Sequence, residues 1–90
     1  MKKVIDSARL HKRLRVILGH IKAIDKMLDD NIPCDNILTH INAVKKAVHK
    51  AGQAILERHL QNCVKDGIKH GNADKTVASF SKAIEQFSRL

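Results

Sequence analysis

This chain predicts an all-α fold, and three observations carry the prediction. Apolar residues recur every three and four positions in three separate segments. Leu, Ile, Ala, Lys and Gln fill long stretches, and all are residues that helices accommodate well. There is one Pro, Pro33, and few β-branched runs that would favour strands.

The first segment steps through Leu10, Leu14, Ile17, Ile21, Ile24 and Leu28 and predicts a helix over 4–29. Asp29-Asp30-Asn31-Ile32-Pro33 ends it, because Ile32 is pushed to an extended backbone by the proline that follows. Pro33 then suits the first turn of a second helix over 33–69. Its stripe runs Ile37, Ile41, Val44, Val48, Ala51 and Ile55 and continues into His59 and Cys63. Gly67 and Gly71 bracket its end, and Asn72 or Asp74 can cap a third helix over 73–89. That helix carries Ala73, Val77, Phe80, Ile84 and Phe87.

Ninety residues make one small domain spanning 1–90, with little core of its own. Phe80 and Phe87 are the only aromatics, so the core must be aliphatic. A second helix of that span is about 50 Å long at 1.5 Å per residue, longer than such a core covers. Much of its stripe must face another chain. An antiparallel dimer built on helices 1 and 2, giving a four-helix bundle, is the simplest solution.

The formal charge of +8, from 17 Lys and Arg against 9 Asp and Glu, calls for a polyanionic partner, nucleic acid before a membrane surface. No apolar run approaches the length of a membrane span. Two distant cysteines suit a reducing compartment in which thiols stay free, which points to the cytoplasm. Arg9, Lys12, Arg13 and Arg15 crowd the start of helix 1, beside Lys2 and Lys3, and no acid occurs from residue 7 to 24. Lys45, Lys46 and Lys50 lie mid-way along helix 2, away from its stripe. These two groups predict a phosphate-binding surface in preference to a merely solvated face. A Gly-rich phosphate loop and paired buried carboxylates are both missing, so an enzyme is not expected.

Cys34, His59 and Cys63 are the candidate ligands. His59 and Cys63 are one helical turn apart, about 6 Å on one face. Cys34 opens helix 2, where the helix dipole favours a thiolate. If one continuous helix carries both cysteines, they lie roughly 43 Å apart, and the three groups can meet only between subunits. Two thiolates and an imidazole form a soft, three-coordinate set that suits Cu(I), whereas structural zinc would want a fourth ligand. Against this stands the bland reading, that a buried Cys acts as a small hydrophobe and a His on a stripe is a satisfied core residue. His20, His40 and His49 adjoin stripe positions, and His11 and His70 flank helix ends; all five read as surface or boundary residues. Two alternatives remain: a thiol sensor with Cys34 as nucleophile and Cys63 as resolving thiol, or a basic bundle that coats nucleic acid without an inducer.

The segments RLRVILGHIKAIDKML, PCDNILTHINAVKKAV and ILERHLQNCV resemble the CsoR/RcnR family of bacterial metal-sensing repressors over nearly the whole chain. The Cys, His and Cys positions are similar to its copper-sensing branch. The nickel/cobalt branch has His at the last position, and the persulfide-sensing branch lacks the central His. The resemblance implies a tetramer, a dimer of antiparallel dimers, that binds operator DNA when metal-free. Cu(I), bound by Cys34 of one subunit with His59 and Cys63 of its neighbour, would then release the DNA. It also implies DNA contacts near Arg13, Arg15 and Lys45. This sequence departs from the pattern where copper sensors carry a Tyr before the first Cys and a Glu on helix 3 that hydrogen-bond the ligand His. Here those positions are Pro33 and Ser79. Lys45 stands where the family usually has Arg, and His20 where it often has Gln.

Overall fold

A computed structural model describes residues 7–71 and 73–90, apart from the side chains of Ser7, Cys63, Asp66, Gly67, Ile68 and His70. The chain folds into α1 (Ser7–Met27), α2 (Cys34–His70) and α3 (Ala73–Ser88), and the described residues contain no strand. These are the three expected helices. The expected first turn of helix 1, residues 4–6, lies outside the described residues, as does the candidate cap Asn72.

The helix ends follow from local chemistry. α1 stops at Met27 because the next amides reach back only three residues: Leu28 N to Asp25 O at 3.3 Å, Asp29 N to Lys26 O at 3.0 Å and Asp30 N to Met27 O at 3.3 Å. Asn31 then takes a left-handed backbone with φ 56°, a conformation that asparagine tolerates better than most residues. Pro33 sits one position earlier than expected, as the cap. Its carbonyl accepts from the amides of Asn36 and Ile37 at 3.0 and 3.2 Å, and α2 begins at Cys34. Gly71, with φ 66°, closes α2 in the left-handed conformation that glycine adopts without strain. α2 runs through Gly67 without a break.

Contacts divide the chain into two compact units, Ala8–Ala51 and one that takes in Gly52–Leu90. In the first, α1 packs on the opening half of α2. Each apolar stripe splits there into two lines of period seven. Ile17 and Ile24 of α1 are buried, and on α2 Ile37 and Val44 are half-buried and Ala51 is buried. The alternate line, Leu14, Ile21 and Leu28 with Ile41 and Val48, is 43–66% exposed. A heptad stripe thus has one line covered by its own chain and one left open.

The second unit pairs the far half of α2 with α3. The same split recurs: Phe80 and Phe87 are half-buried, while Val77 and Ile84 are exposed. No α3 side chain is buried. Gly52 marks a close approach, since a Cβ there would stand 2.7 Å from Leu90 Cδ1.

Candidate metal and nucleic-acid site

The unit Ala8–Ala51 holds the basic surface. Arg9, Lys12 and Arg13 of α1 and Lys50 of α2 rim a cleft of about 430 Å³ whose floor is Val16, Ile17 and Ala47. The spacing is helical: Arg9, Lys12 and Arg13 are three and four apart and share a face, and Lys50 faces them from the neighbouring helix. Three of these cations fall in the first two turns of α1, which has no acid in its first turn. Cations at a helix N-terminus oppose the macrodipole and cost stability. The amide ends of the helix and the side chains add there to one positive field. Arg15, Lys45 and Lys46 are exposed but do not line the cleft. Lys46, expected to share a face with Lys50, stays outside it.

Cys34 is in this unit too. It is an exposed free thiol in the first turn of α2. Asp35 beside it is the acid of that turn.

The other unit holds His59, half-buried on α2. It lines a cavity of about 430 Å³ with Gly52, Ile55 and Leu56 of α2 and Ala83, Gln86 and Phe87 of α3. Its Nε2 is 3.3 Å from the Ser79 hydroxyl on α3. Where the resemblance leads one to expect a Glu on helix 3, it is the hydroxyl of Ser79 that meets the ring. A partner at Nε2 orients the ring. Cys63 follows His59 by one turn on the same helix, and its side chain lies outside the described residues. α2 is unbroken from Cys34 to His70, which is the condition on which the separation of the two cysteines rested. Among the described residues, no three His, Cys, Asp or Glu side chains cluster within one chain. No helix among them is long and apolar enough to cross a membrane.

One feature escaped the sequence reading. His20 and His40, read as boundary residues, meet each other: His20 Nε2 and His40 Nδ1 are 2.9 Å apart in the unit Ala8–Ala51. The signal was present in the spacing. His20 lies three after Ile17 and four before Ile24, and His40 three after Ile37 and four before Val44, so both sit on the inward line.

Three helices with one long middle helix are a fold that known proteins share. The family model described as metal-sensitive transcriptional repressor matches residues 6–87, so the chain belongs to that family, the CsoR/RcnR repressors. Its members are repressors and not enzymes. Among the relatives, the copper-sensing transcriptional repressor RicR of Mycobacterium tuberculosis is 34% identical over 80 residues, covering 87% of this chain and 83% of that one. The copper-sensing repressor CsoR of Bacillus subtilis is 28% identical over 84 residues, covering 93% and 83%. Two solved structures share the fold. CsoR with Cu(I) from Geobacillus thermodenitrificans superposes with a TM-score of 0.85 at 31% identity, covering 98% of this chain and 94% of that one. The nickel-responsive regulator InrS gives 0.86 at 28% identity, covering 97% and 98%. The chain is thus a metal-sensing transcriptional repressor, with neighbours that answer to copper and to nickel.

Proposed function

We propose that this repressor senses Cu(I), with Cys34 of one subunit and His59 and Cys63 of another as ligands, and that metal loading weakens its hold on operator DNA. The observation that carries the reading is the Ser79 hydroxyl on His59 Nε2. Structural His residues also find partners, but here the supported ring precedes Cys63 by one helical turn, the spacing that puts two ligands on one face. The donor set selects the metal. Thiolates and imidazole are soft to borderline and suit a low-coordinate Cu(I), whereas nickel would want more nitrogen or oxygen donors than these residues offer.

Arg9, Lys12, Arg13 and Lys50 grip phosphate at the cleft, and Arg15, Lys45 and Lys46 extend the positive surface around it. The exposed apolar line of each helix is covered by further copies, as an antiparallel dimer and then a dimer of dimers. Cys34 lies at the end of α2 that packs on the basic helix α1, so a metal ligand and the DNA-gripping cations share one unit. Cys34 of one subunit and the His59–Cys63 pair of its neighbour would hold the Cu(I), which would supply a soft, low-coordinate cation. An operator as partner places the work in the cytoplasm. The exposed Cys34 thiol supports a second reading, in which it forms a disulfide with Cys63 of a neighbour after oxidation.

The test is an anaerobic titration of the reduced protein with Cu(I) against a competing chelator, run beside His59→Ala and Cys63→Ala. One Cu(I) per subunit, weakened in both variants, is the expected result. Binding that both variants leave intact would defeat the proposed site. Mass spectrometry after oxidant treatment separates the second reading, which requires an inter-subunit Cys34–Cys63 cross-link.

A further inference from the structure

His20 and His40 form the one imidazole pair among the described residues, and their geometry is specific. The nitrogens are 2.9 Å apart, the rings are edge-on at 84°, and the centroids are 5.2 Å apart. That centroid distance is close to the longest a contact of this length permits, so the two nitrogens point at each other along one line. A metal ion between them would need two bonds of about 2.0 Å in line, and the rings would have to part by about 1 Å. A proton fits the gap as it stands. One ring donates an N–H and the other accepts it through its lone pair.

We propose that this pair is a proton-sensitive clasp between α1 and α2, closed while one ring keeps a lone pair and opened when both rings are protonated. Imidazole changes charge between about pH 5 and pH 8. One proton taken up from solvent leaves an imidazolium donating to an imidazole, which strengthens the bond. A second proton removes the remaining acceptor and sets two cations face to face. The pair sits in the packed seam of its unit, where Ile17 and Ile24 are each 8% exposed. Repulsion there is poorly screened.

The faces of α1 and α2 that carry the pair offer no acidic residue among the described ones. On α1 the residues one turn either side of His20 are Val16, Ile17, Ala23 and Ile24, and two turns away stand Arg13 and Met27. On α2 the one-turn neighbours of His40 are Asn36, Ile37, Ala43 and Val44, with Pro33 and Ala47 beyond. Within two turns on either face, the one charged residue is Arg13, itself a cation. Asp25 and Lys22 on α1, and Asp35 and Lys45 on α2, are exposed, and their spacing turns them to the far sides of their helices. Among the described residues of these two helices, no carboxylate falls on the side of the pair. The clasp is therefore expected to weaken once both rings carry a proton. The inference does not depend on which metal the protein senses.

The experiment compares thermal unfolding of the full chain with that of His20→Gln/His40→Gln, whose amides can hydrogen-bond but do not titrate. Between about pH 8 and pH 5, the wild-type melting temperature is expected to fall by about 5 °C more than that of the variant. Equal falls would overturn the clasp. Should the double variant not fold, ¹⁵N imidazole spectra of the wild type decide. A proton shared between His20 Nε2 and His40 Nδ1 at neutral pH, absent once both rings are cationic, supports the proposal. Two rings that titrate with no shared proton at any pH would refute it.

Discussion

The two units of the chain share one long helix but divide the work. The unit Ala8–Ala51 has the buried isoleucines, the basic cleft, the imidazole pair and Cys34. The unit with Gly52–Leu90 has His59 held by Ser79, and an α3 with no buried side chain. On the proposed reading the first unit grips an anion and supplies Cys34, and the second supplies His59 and Cys63. Neither holds the whole proposed metal set, and one unbroken helix separates Cys34 from His59 and Cys63, so sensing on this reading requires two chains.

The largest expected effect breaks that division of ligands. Cys34→Ala and Cys63→Ala should each abolish tight Cu(I) binding. A mixture of the two variants should recover about a quarter of the sites, because each mixed dimer of twofold symmetry reassembles one intact set and one doubly broken set. Competition against a chelator measures the recovery, and none would place the ligands within a single chain.

Next in size is the core. Ile24→Ala should cost about 2–4 kcal/mol in denaturant unfolding, since its side chain is largely buried in the seam. Ile21, three residues earlier, is 46% exposed in the single chain. If Ile21→Ala shifts the oligomeric equilibrium while Ile24→Ala leaves it unchanged, the open line of the stripe is the subunit contact. If neither shifts it, the partner lies elsewhere.

How far the sequence revealed these units depends on what kind of information each feature needs. Helix identity and the breaks at 29–33 and 67–71 came from short-range chemistry, namely apolar period, a proline and glycines, and the structure agrees to within a few residues. Which half of each stripe turns inward was not legible. Ile17 and Ile21 look alike in a sequence, and only the packing of α1 on α2 separates them. The His20–His40 contact joins residues twenty apart in the chain, so it needed the register of two helices. Ser79 was legible as a departure from the resembled pattern, but not as a partner of His59, because a short hydroxyl reaches the ring only if α3 packs close.

That closeness gives the third prediction. Ser79→Ala should weaken Cu(I) about 10–100-fold, the usual loss when a ligand's supporting hydrogen bond is removed, with DNA affinity of the metal-free protein unchanged. An unaltered metal affinity would make the Ser79 contact incidental. Arg13→Ala should do the reverse, leaving Cu(I) binding intact. It should weaken DNA binding about tenfold and reduce the salt slope by about 1, as loss of one phosphate contact does. Together these variants ask whether the two units separate in function as they do in contacts.

The smallest effect, and the one of opposite sign, concerns Gly52, the first residue of the second unit. A Cβ there meets Leu90 Cδ1 at 2.7 Å but Phe87 only at 3.8 and 3.9 Å, which is ordinary contact. The crowded atom is the tip of a flexible side chain on the last residue, and it can swing aside at little cost. Glycine inside a helix, by contrast, is worth about 1 kcal/mol less than alanine. Gly52→Ala should therefore leave the protein as stable or raise its stability by up to about 1 kcal/mol, read from a denaturant midpoint at constant slope. A clear loss would mean that the close approach of α3 to α2 is rigid. The loose packing implied by an α3 with no buried side chain would then be complete only when another subunit covers it.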